Sequence, residues 1–219
     1  MAANVVEIVD VKRQVWPDET ADSGLIAAAV AEPGHVTHVA LVGDSVVGFV
    51  DGFVTCSGEG IRRWEVDLLA VIADQRGRGI GRGLVAASTQ AGRESGAQLA
   101  RALIGLDNIA SQRAFQLSGY EEQDAVYELH VLAGAAVDGG RVSPEQLHLV
   151  RVATFNYRGV WLEPASDAAA IDLAHAVLPE SETGQVGMLV PVQHREWAAS
   201  AQTAGFDPLG RYRWWSRTL

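Results

Sequence analysis

Apolar and polar residues alternate along the chain in short blocks that predict strands and helices in turn. Residues 4–11 alternate apolar and polar positions and predict a first strand. Residues 36–42 and 46–55 are β-rich and are joined by Gly43-Asp44-Ser45, which predicts a hairpin. Between the first strand and the hairpin, residues 21–31 predict a helix.

A glycine-rich turn at residues 75–82 follows an apolar strand at 64–71 and opens an alanine-rich helix at 82–94. Glycine lets backbone N–H groups approach an anion closely, and a helix N-terminus adds partial positive charge. The turn therefore predicts a phosphate-binding site. It is not a P-loop, because Gly81 is followed by Arg82-Gly83 instead of a Lys-Ser/Thr pair, and its glycines do not complete the dinucleotide fingerprint.

After this turn, predicted strands and helices continue to alternate along the chain. A strand is predicted at 99–106, Asp107-Asn108 then caps a helix that Gly119 ends, and a strand follows at 120–132. The expected apolar stripe of the helix consists of Ala110, Ala114 and Leu117.

The remainder of the chain repeats this order of elements in a shorter form. Residues 133–146 are mostly small and predict a linker. Similar residues at a constant spacing support the repeat. Gly119-Tyr120 matches Gly205-Phe206, and the same spacing along the chain pairs Asn108 with His194. Beyond the linker we predict a strand region at 147–163, a helix at 166–178, a strand at 186–192, a helix at 194–204 and a closing strand at 211–218.

Two short motifs resemble the signatures of one enzyme superfamily. Arg76-x-x-Gly79-x-Gly81, after the apolar strand, resembles the acyl-CoA-binding signature of the GNAT superfamily of N-acyltransferases. Residues 108–120 resemble its second signature, in which an asparagine opens a helix and Gly-Phe or Gly-Tyr ends it. One position departs, because Phe115 stands where the family usually carries the tyrosine that protonates the leaving CoA thiolate. The resemblance covers roughly residues 4–132.

This resemblance implies an α+β fold, of the three-layer α/β type, in which helices flank a mixed, GNAT-like central sheet. It also implies a catalytic domain at 1–132, a linker at 133–146 and a smaller, degenerate GNAT-like lobe at 147–219, as in tandem members of the superfamily. We call the first and last of these segments the first lobe and the second lobe. The second lobe has Leu162-Glu163-Pro164-Ala165 where the first has its glycine-rich turn, so we expect one CoA site per chain.

The family resemblance further implies how acetyl-CoA would be held as co-substrate. The pyrophosphate would lie on the backbone N–H groups of the glycine-rich turn, with arginines adding charge. The pantetheine arm would extend along the strand at 64–71 like an added strand. The cofactor-binding residues implied in this way are Leu69, Ala70, Val71, Arg76, Gly77, Arg78, Gly79, Ile80, Gly81, Arg82, Asn108 and Phe115.

Transfer of an acetyl group to an amine calls for a base, because an alkylammonium with a pKa of about 10 provides little neutral nucleophile at neutral pH. Glu65 is the first candidate, since it resembles the strand glutamate that histone-type members use, and Asp67 is the second. Period-two geometry places both on one face of the strand with Leu69 and Val71, and neighbouring carboxylates raise the pKa of one of them. Alternatively, Glu65 is a solvated residue near the strand end.

A general acid is harder to assign, because the phenyl ring of Phe115 cannot donate a proton. Tyr120, Tyr127 or a water molecule could protonate the thiolate, or the thiolate could leave unassisted, since a thiol has a pKa of only about 8.5. Packing in the core also explains Phe115. Cys56 has no partner base in the sequence and is interpreted as a spectator thiol.

Composition and charge limit the size of the core, the kinds of partner and the cellular location that we expect. The chain has 219 residues, of which 48% are hydrophobic, enough for one good core or two small ones. A formal charge of -10 argues against nucleic-acid binding and favours a cationic partner such as an amine. With no apolar stretch of about 20 residues and no signal-peptide pattern, we expect a soluble cytoplasmic protein without a membrane partner. The histidines show no metal spacing, so no metal is expected, and a homodimer is left open.

Two interpretations of the whole chain follow. In the first, it is an acetyl-CoA-dependent N-acetyltransferase that passes an acetyl group to a primary amine of a small molecule or peptide by direct attack. In the second, it is a catalytically impaired CoA-binding module with a regulatory or structural role, and Phe115 marks the loss of catalysis. Both predict binding of acetyl-CoA, so only transfer to an amine distinguishes them.

Overall fold

The structure, a computed structural model, describes residues 3–133, 148–163 and 184–219. In this part of the chain one mixed sheet is flanked by helices, which confirms the predicted α+β fold. The helices are α1 (Ala3–Val15), α2 (Ser23–Ala31), α3 (Ile80–Glu94), α4 (Ile109–Gln116) and α5 (Arg195–Thr203), with a 3-10 turn at Ala73–Gln75 before α3. The strands are β1 (His38–Val42), β2 (Ser45–Cys56), β3 (Arg62–Val71), β4 (Leu99–Gly105), β5 (Glu121–Ala133), β6 (His148–Ala153), β7 (Arg158–Glu163), β8 (Gly184–Pro191) and β9 (Asp207–Thr218).

Some of the predicted elements lie outside the described residues. These are the linker beyond Ala133, the helix at 166–178 and the segment Pro164-Ala165. Within the described ranges, none of the helices has the length and apolar character needed to span a bilayer. The same ranges contain no group of three or more His, Cys, Asp or Glu side chains arranged to hold a metal ion.

The first element of the chain is a helix and not a strand. The strand predicted at 4–11 is wrong, because Ile8, Val9 and Val11 lie on α1 and are buried in one cluster with residues of α2 and β2. A short run of β-branched residues fits a strand by composition, but its apolar spacing also fits one face of a helix, and packing decides between them. The helix predicted at 21–31 is confirmed as α2.

The order of the strands joins the two lobes into one sheet, β1-β2-β3-β4-β9-β5-β8-β7-β6. The pairs β3–β4 and β7–β8 are parallel, and the other neighbours are antiparallel. The strand β9 of the second lobe lies between β4 and β5 of the first, and β5 pairs in turn with β8 of the second. The lobes therefore exchange their last strands.

Backbone geometry supports the internal repeat. Gly119 and Gly205, which follow α4 and α5, both have a positive φ, of 77° and 91°. In each lobe the next residue donates its N–H to the carbonyl five residues earlier, at 3.1 Å for Tyr120 and 3.0 Å for Phe206. The two helices thus end in the same left-handed turn, and the Gly-Tyr and Gly-Phe pairs occupy equivalent positions.

The two ends of the sheet meet, because β6 and β7 contact the face of β2 and β3 that carries Phe49, Asp51 and Phe53. We call this the inner face. The ring of Trp161 lies 5.8 Å from that of Phe53, and the ring of Phe155 lies 5.7 Å from that of Phe49. Phe155, from the turn between β6 and β7, is fully buried in the cluster that includes α1 and α2. The second lobe thus covers part of the inner face of the first.

The opposite, outer face of the sheet is covered by α3. Trp64 of β3 is fully buried there, and its Nε1 donates to the hydroxyl of Ser88 at 2.9 Å. A side-chain carbon added at Gly52 or Gly92 would lie 2.6 or 2.7 Å from the ring of Trp64. Both positions therefore need glycine for the indole to fit between β2 and α3.

The helix α4 differs from the predicted pattern in its buried face. The predicted apolar stripe is wrong at Ala110 and at Leu117, because both are exposed, Leu117 by 59%. The residue that α4 buries is Phe115, whose ring meets that of Tyr120 edge-on at 4.9 Å. Asn108 caps the helix as predicted, because its side-chain oxygen accepts from the N–H of Ser111 at 3.1 Å.

Candidate active site

The strands β3 and β4 form a fork at the centre of the first lobe. They pair over three residues only, and the last pair joins Glu65 to Arg101. Beyond it β3 runs on to Val71 and β4 to Gly105 without pairing to each other. Backbone N–H and C=O groups of β3 therefore lack a strand on this edge, and such groups need partners. An extended ligand in the fork would supply them as an added strand does.

A β-bulge shapes this fork. The register of β2 and β3 shifts opposite Asp51, which faces residues 67–68 of β3 instead of a single residue. The extra residue reverses the faces of the residues after it. Leu69 and Val71 consequently pack against the hydrophobic cluster between the sheet and α3, which includes Trp64, Leu84 and Val85 and which we call the outer core. The expectation that they share a face with Glu65 is wrong for this reason.

The predicted phosphate-binding turn has a backbone conformation that depends on its glycines. Gly77 and Gly79 have φ values of 75° and 83°, in the left-handed region that strains other residues. Gly79 is also the N-cap of α3. The side chain of Arg76 folds back, and its Nε donates to the carbonyl of Val71 at 2.9 Å. This hydrogen bond fixes the beginning of the turn against the end of β3.

The first turn of α3 provides the donors for an anion. Its first hydrogen bond runs from the N–H of Gly83 to the carbonyl of Gly79 at 3.0 Å. The N–H groups of Ile80, Gly81 and Arg82 precede this bond and have no partner within the helix. They lie at the positive end of the helix macrodipole, which is the arrangement that binds phosphate groups.

An open depression of about 480 Å³ lies beside this turn, on the solvent side of α3. It extends to the end of α4 and to β9, and Arg82, Leu117 and Arg217 are among its lining residues. Two guanidinium groups at one depression favour an anionic group there. The exposed side chain of Leu117 offers it an apolar contact.

Glu65, the first candidate for the base, lies in a buried ion-pair cluster. Nε of Arg101 donates to both carboxylate oxygens, at 3.0 and 2.8 Å. The hydroxyl of Thr55 donates to one of these oxygens, and Nε of Arg63 lies 3.4 Å from the same oxygen. A base needs a free lone pair that reaches the substrate. These contacts occupy Glu65 and do not favour it as the base.

Asp67 lies two residues further along β3 and lacks such partners. No described residue forms an ion pair or a hydrogen bond with its carboxylate. Burial, the charge of Asp51 and the charge of Glu65, in this order, raise the pKa of Asp67 to about 7. A group that exchanges a proton near neutral pH suits general base catalysis. The structure therefore favours Asp67 over Glu65.

The carboxylate next to Asp67 belongs to Asp51 of β2, which is fully buried. It accepts from the hydroxyl of Thr37 at 2.8 Å, and its other oxygen lies 3.4 Å from Nδ1 of His35. The imidazole of His35 stacks on the ring of Phe53 at 4.8 Å. These contacts fix the second carboxylate of the inner face.

The tyrosine suggested as general acid faces the outer core. The hydroxyl of Tyr120 lies 2.8 Å from that of Thr89, about two and a half turns into α3. Burial raises the pKa of Tyr120, against the smaller effect of this hydrogen bond. Phe115 lies beside it in the same outer core. The structure therefore does not bring Tyr120 or Phe115 together with Asp67, and packing accounts for both.

Other strands bring to this region residues that the sequence pattern did not single out. The hydroxyl of Tyr157, from the second lobe, accepts from Nε1 of Trp161 at 2.6 Å. Burial and the charge of Asp67 raise the pKa of Tyr157, which places this phenol near the candidate base. Charged residues inside an otherwise apolar strand were the available signal for buried partners. The missed residues are Asp51, Arg101, Tyr157 and Glu163.

Comparison with known proteins assigns the class of protein. The sequence model of the Acetyltransferase (GNAT) family matches residues 4–120 of the chain. The chain therefore belongs to the GNAT family of acetyltransferases. Among proteins with curated descriptions, none matches it.

Two solved structures share the fold over nearly the whole chain. A tandem GNAT protein from the clavulanic acid biosynthesis pathway, without acetyl-CoA, aligns with 99% of this chain and 95% of its own, at a TM-score of 0.58 and 14% identity. A GCN5-related glucosamine N-acetyltransferase region of a fungal multi-domain β-N-acetylglucosaminidase aligns with 98% of this chain and 37% of its own, at 0.62 and 12%. At these identities the likeness concerns the fold, and it confirms the tandem GNAT architecture.

Proposed function

We propose that the protein transfers an acetyl group from acetyl-CoA to a primary amine of a small molecule or peptide. The observation that carries the proposal is the fork between β3 and β4, which opens beside Asp67 and leads to the N-terminus of α3. The pantetheine arm lies along residues 69–71, and the pyrophosphate lies on the turn at 76–82. The depression beside α3, with Arg82 and Arg217, takes a further anionic part of the CoA nucleotide.

Asp67 acts as the base of the reaction. The amine nitrogen attacks the thioester carbonyl carbon, and Asp67 takes up, directly or through water, the proton that the nitrogen loses. The C–S bond then breaks, and CoA leaves as a thiolate that takes a proton from solvent. This leaving group needs no tyrosine, since its pKa of about 8.5 makes the thiolate a good leaving group. The core positions of Phe115 and Tyr120 are consistent with this mechanism.

An amine acceptor fits the charge of the inner face. Asp51 and Asp67 lie next to each other there, and the chain as a whole carries a formal charge of -10. Negative charge attracts an ammonium group before it loses its proton. The proposal covers polyamines, aminoglycosides, amino acids and peptide N-termini as acceptors.

Calorimetric titration with acetyl-CoA tests the cofactor site. We expect one site per chain and at least about tenfold weaker binding in Gly79→Asp, where a carboxylate would face the pyrophosphate. Gly96→Asp is the matched control, because Gly96 also has a left-handed φ, of 76°, but lies beyond the other end of α3. It should bind like the wild type. Absence of saturable binding at millimolar acetyl-CoA would contradict the proposal.

Release of the CoA thiol with a panel of amines tests the transfer step. Asp67→Asn should lower kcat for the best amine by about 10²–10⁴-fold, the usual contribution of a general base. Its affinity for acetyl-CoA should stay unchanged, because Asp67 lies on the inner face of β3 and not at the turn. Saturable binding without transfer to any amine would instead support the CoA-binding module.

A further inference from the structure

Four charged side chains form a closed ring at the fork. Glu65 lies 2.8 Å from Nε of Arg101 and 3.4 Å from Nε of Arg63. Glu163 of β7 closes the ring, with its two oxygens 2.6 Å from Nη2 of Arg101 and 2.8 Å from Nη1 of Arg63. The signs alternate, so the ring is neutral as a whole. We call these four residues the charge ring.

Neutrality matters because the charge ring is largely removed from water. Arg63 and Glu65 are 5% and 2% exposed. A buried charge is costly when a partner is missing. Burial raises the pKa of Glu163, but Arg101 and Arg63 outweigh this effect and hold it below its ordinary value. Glu163 therefore stays ionised and balances the second arginine.

The charge ring lies where the fork opens. Glu65 and Arg101 form the last pair before β3 and β4 part, and Asp67 is two residues beyond Glu65. Without Glu163, the two arginines would exceed Glu65 by one positive charge, two residues along β3 from Asp67. This excess positive charge at Glu65 would then favour the ionised form of Asp67.

Several elements bring charged or titratable groups to the surroundings of Asp67. The charged groups that disfavour its ionised form are Asp51 of β2 and Glu65 of β3. The hydroxyl of Tyr157, before β7, also lies near Asp67. The other groups act through these neighbours: His35, before β1, is paired with Asp51, and the charge-ring members Arg63, Arg101 and Glu163 are linked to Glu65.

We infer that Glu163 of the second lobe is a positioning residue of the active site. By closing the charge ring it keeps both arginines engaged with carboxylates of the ring, and it leaves Asp67 as the carboxylate that exchanges a proton with the acceptor amine. The inference rests on the proposed function of Asp67 as base. It gives the second lobe an electrostatic role in the chemistry of the first, in addition to covering its inner face.

Carbon-13 NMR of protein labelled at the aspartate carboxyl carbons tests this inference without cofactor or acceptor. The signal of Asp67 is assigned by its loss in Asp67→Asn. In Glu163→Gln the unbalanced positive charge should lower the titration midpoint of Asp67 by at least about 0.5 pH unit. In Arg101→Gln the charge ring is negative, so the midpoint should rise. The double variant restores neutrality and should return the midpoint toward the wild-type value.

A matched control separates electrostatics from contact between the lobes. Glu32 forms another ion pair between the lobes, with Arg158 at 3.1 Å, on the protein surface. Glu32→Gln therefore also removes one carboxylate from an ion pair between the lobes, but it should leave the midpoint of Asp67 unchanged. Thermal unfolding of each variant shows whether the lobes remain docked.

The opposite signs of the expected shifts make the inference refutable. A Glu163→Gln midpoint within about 0.2 unit of the wild type, or shifts of Glu163→Gln and Arg101→Gln in the same direction, would overturn it. If Glu163→Gln does not fold, the Arg101→Gln variant tests the inference alone. A midpoint of Asp67 that does not rise in this variant would overturn it. The titration needs no turnover, so failure of this inference appears as an unmoved midpoint, whereas failure of the proposed function appears as absent transfer.

Discussion

The side chain of Asp67 sits in surroundings that disfavour its charge. Burial has the largest effect, and the negative charges of Asp51 and Glu65 add to it, so that its pKa reaches about 7. A carboxylate in such surroundings reduces the stability of the fold when it is ionised. Functional sites commonly retain groups of this kind because the reaction needs them.

Asp67→Asn should therefore stabilise the fold in a pH-dependent way. The folded pKa of about 7 exceeds the ordinary value of 3.8, so the wild type loses stability as pH rises from about 4 to about 7 and stays at this lower level above it. The amide carries no charge and removes this loss. With allowance for solvent screening of a partly buried group, we expect a gain of about 1–3 kcal/mol at pH 8 and little change at pH 4.

Denaturant unfolding of both proteins at the two pH values measures this difference. Asp18→Asn, an exposed aspartate in the loop between α1 and α2, is the control and should show no such dependence. Equal stability changes at pH 4 and pH 8 would contradict the raised pKa of Asp67.

At the scale of elements, the packing of α3 against β3 requires glycine at position 92. Gly92→Ala would place a carbon 2.7 Å from the ring of Trp64 and 3.1 Å from Leu219. The indole cannot move away easily, because its Nε1 is bound to Ser88. We expect a loss of about 1–3 kcal/mol in the free energy of unfolding, as for other overpacked cores.

Gly83→Ala in the same helix is the matched control for this prediction. A carbon added at Gly83 meets nothing within 4 Å. Higher helix propensity should then stabilise α3 by up to about 1 kcal/mol. Chemical denaturation of both variants gives the comparison, and a Gly92→Ala protein as stable as Gly83→Ala would refute the close packing around Trp64.

Elements with local signals were predictable from the sequence, whereas elements set by pairing were not. The strand at 64–71, the glycine-rich turn and the helix α3 are adjacent in the chain, so the local pattern was sufficient to predict these elements. The helix α1 was mistaken for a strand because only its packing against α2 distinguishes the two. The bulge at 67–68 depends on β2, and it reversed the expected face of Leu69 and Val71. The partner that occupies Glu65, Arg101, is 36 residues away.

At the scale of the whole molecule, the exchanged strands make the lobes interdependent. A fragment of residues 1–132 would lack β9, and with it the partner of β4 on one edge and Trp215 of the outer core. We expect this fragment to be largely unfolded by circular dichroism and amide hydrogen exchange. Adding a fragment of residues 133–219 should restore structure, whereas a fragment 1–132 with the stability of the full chain would contradict this interdependence.

The repeat was predictable from the sequence, but the exchange of strands was not. The Gly119-Tyr120 and Gly205-Phe206 pairs marked equivalent helix ends, and the structure shows the same backbone turn at both. Nothing in the pattern of β9 indicates which strands lie beside it, because an alternating strand fits many edges. The division at 1–132 and 147–219 therefore follows the repeat in the sequence, while the sheet continues across it.

The place of β9 also has a consequence for biosynthesis. This strand leaves the ribosome after every other described strand, yet it belongs between β4 and β5. Until it arrives, the nascent chain carries open strand edges that can pair with other chains. The pairing of β4 with β9 is also remote in sequence and therefore slow to form. The arrangement that unites the two lobes thus makes the period of translation the time when this protein most needs protection by chaperones.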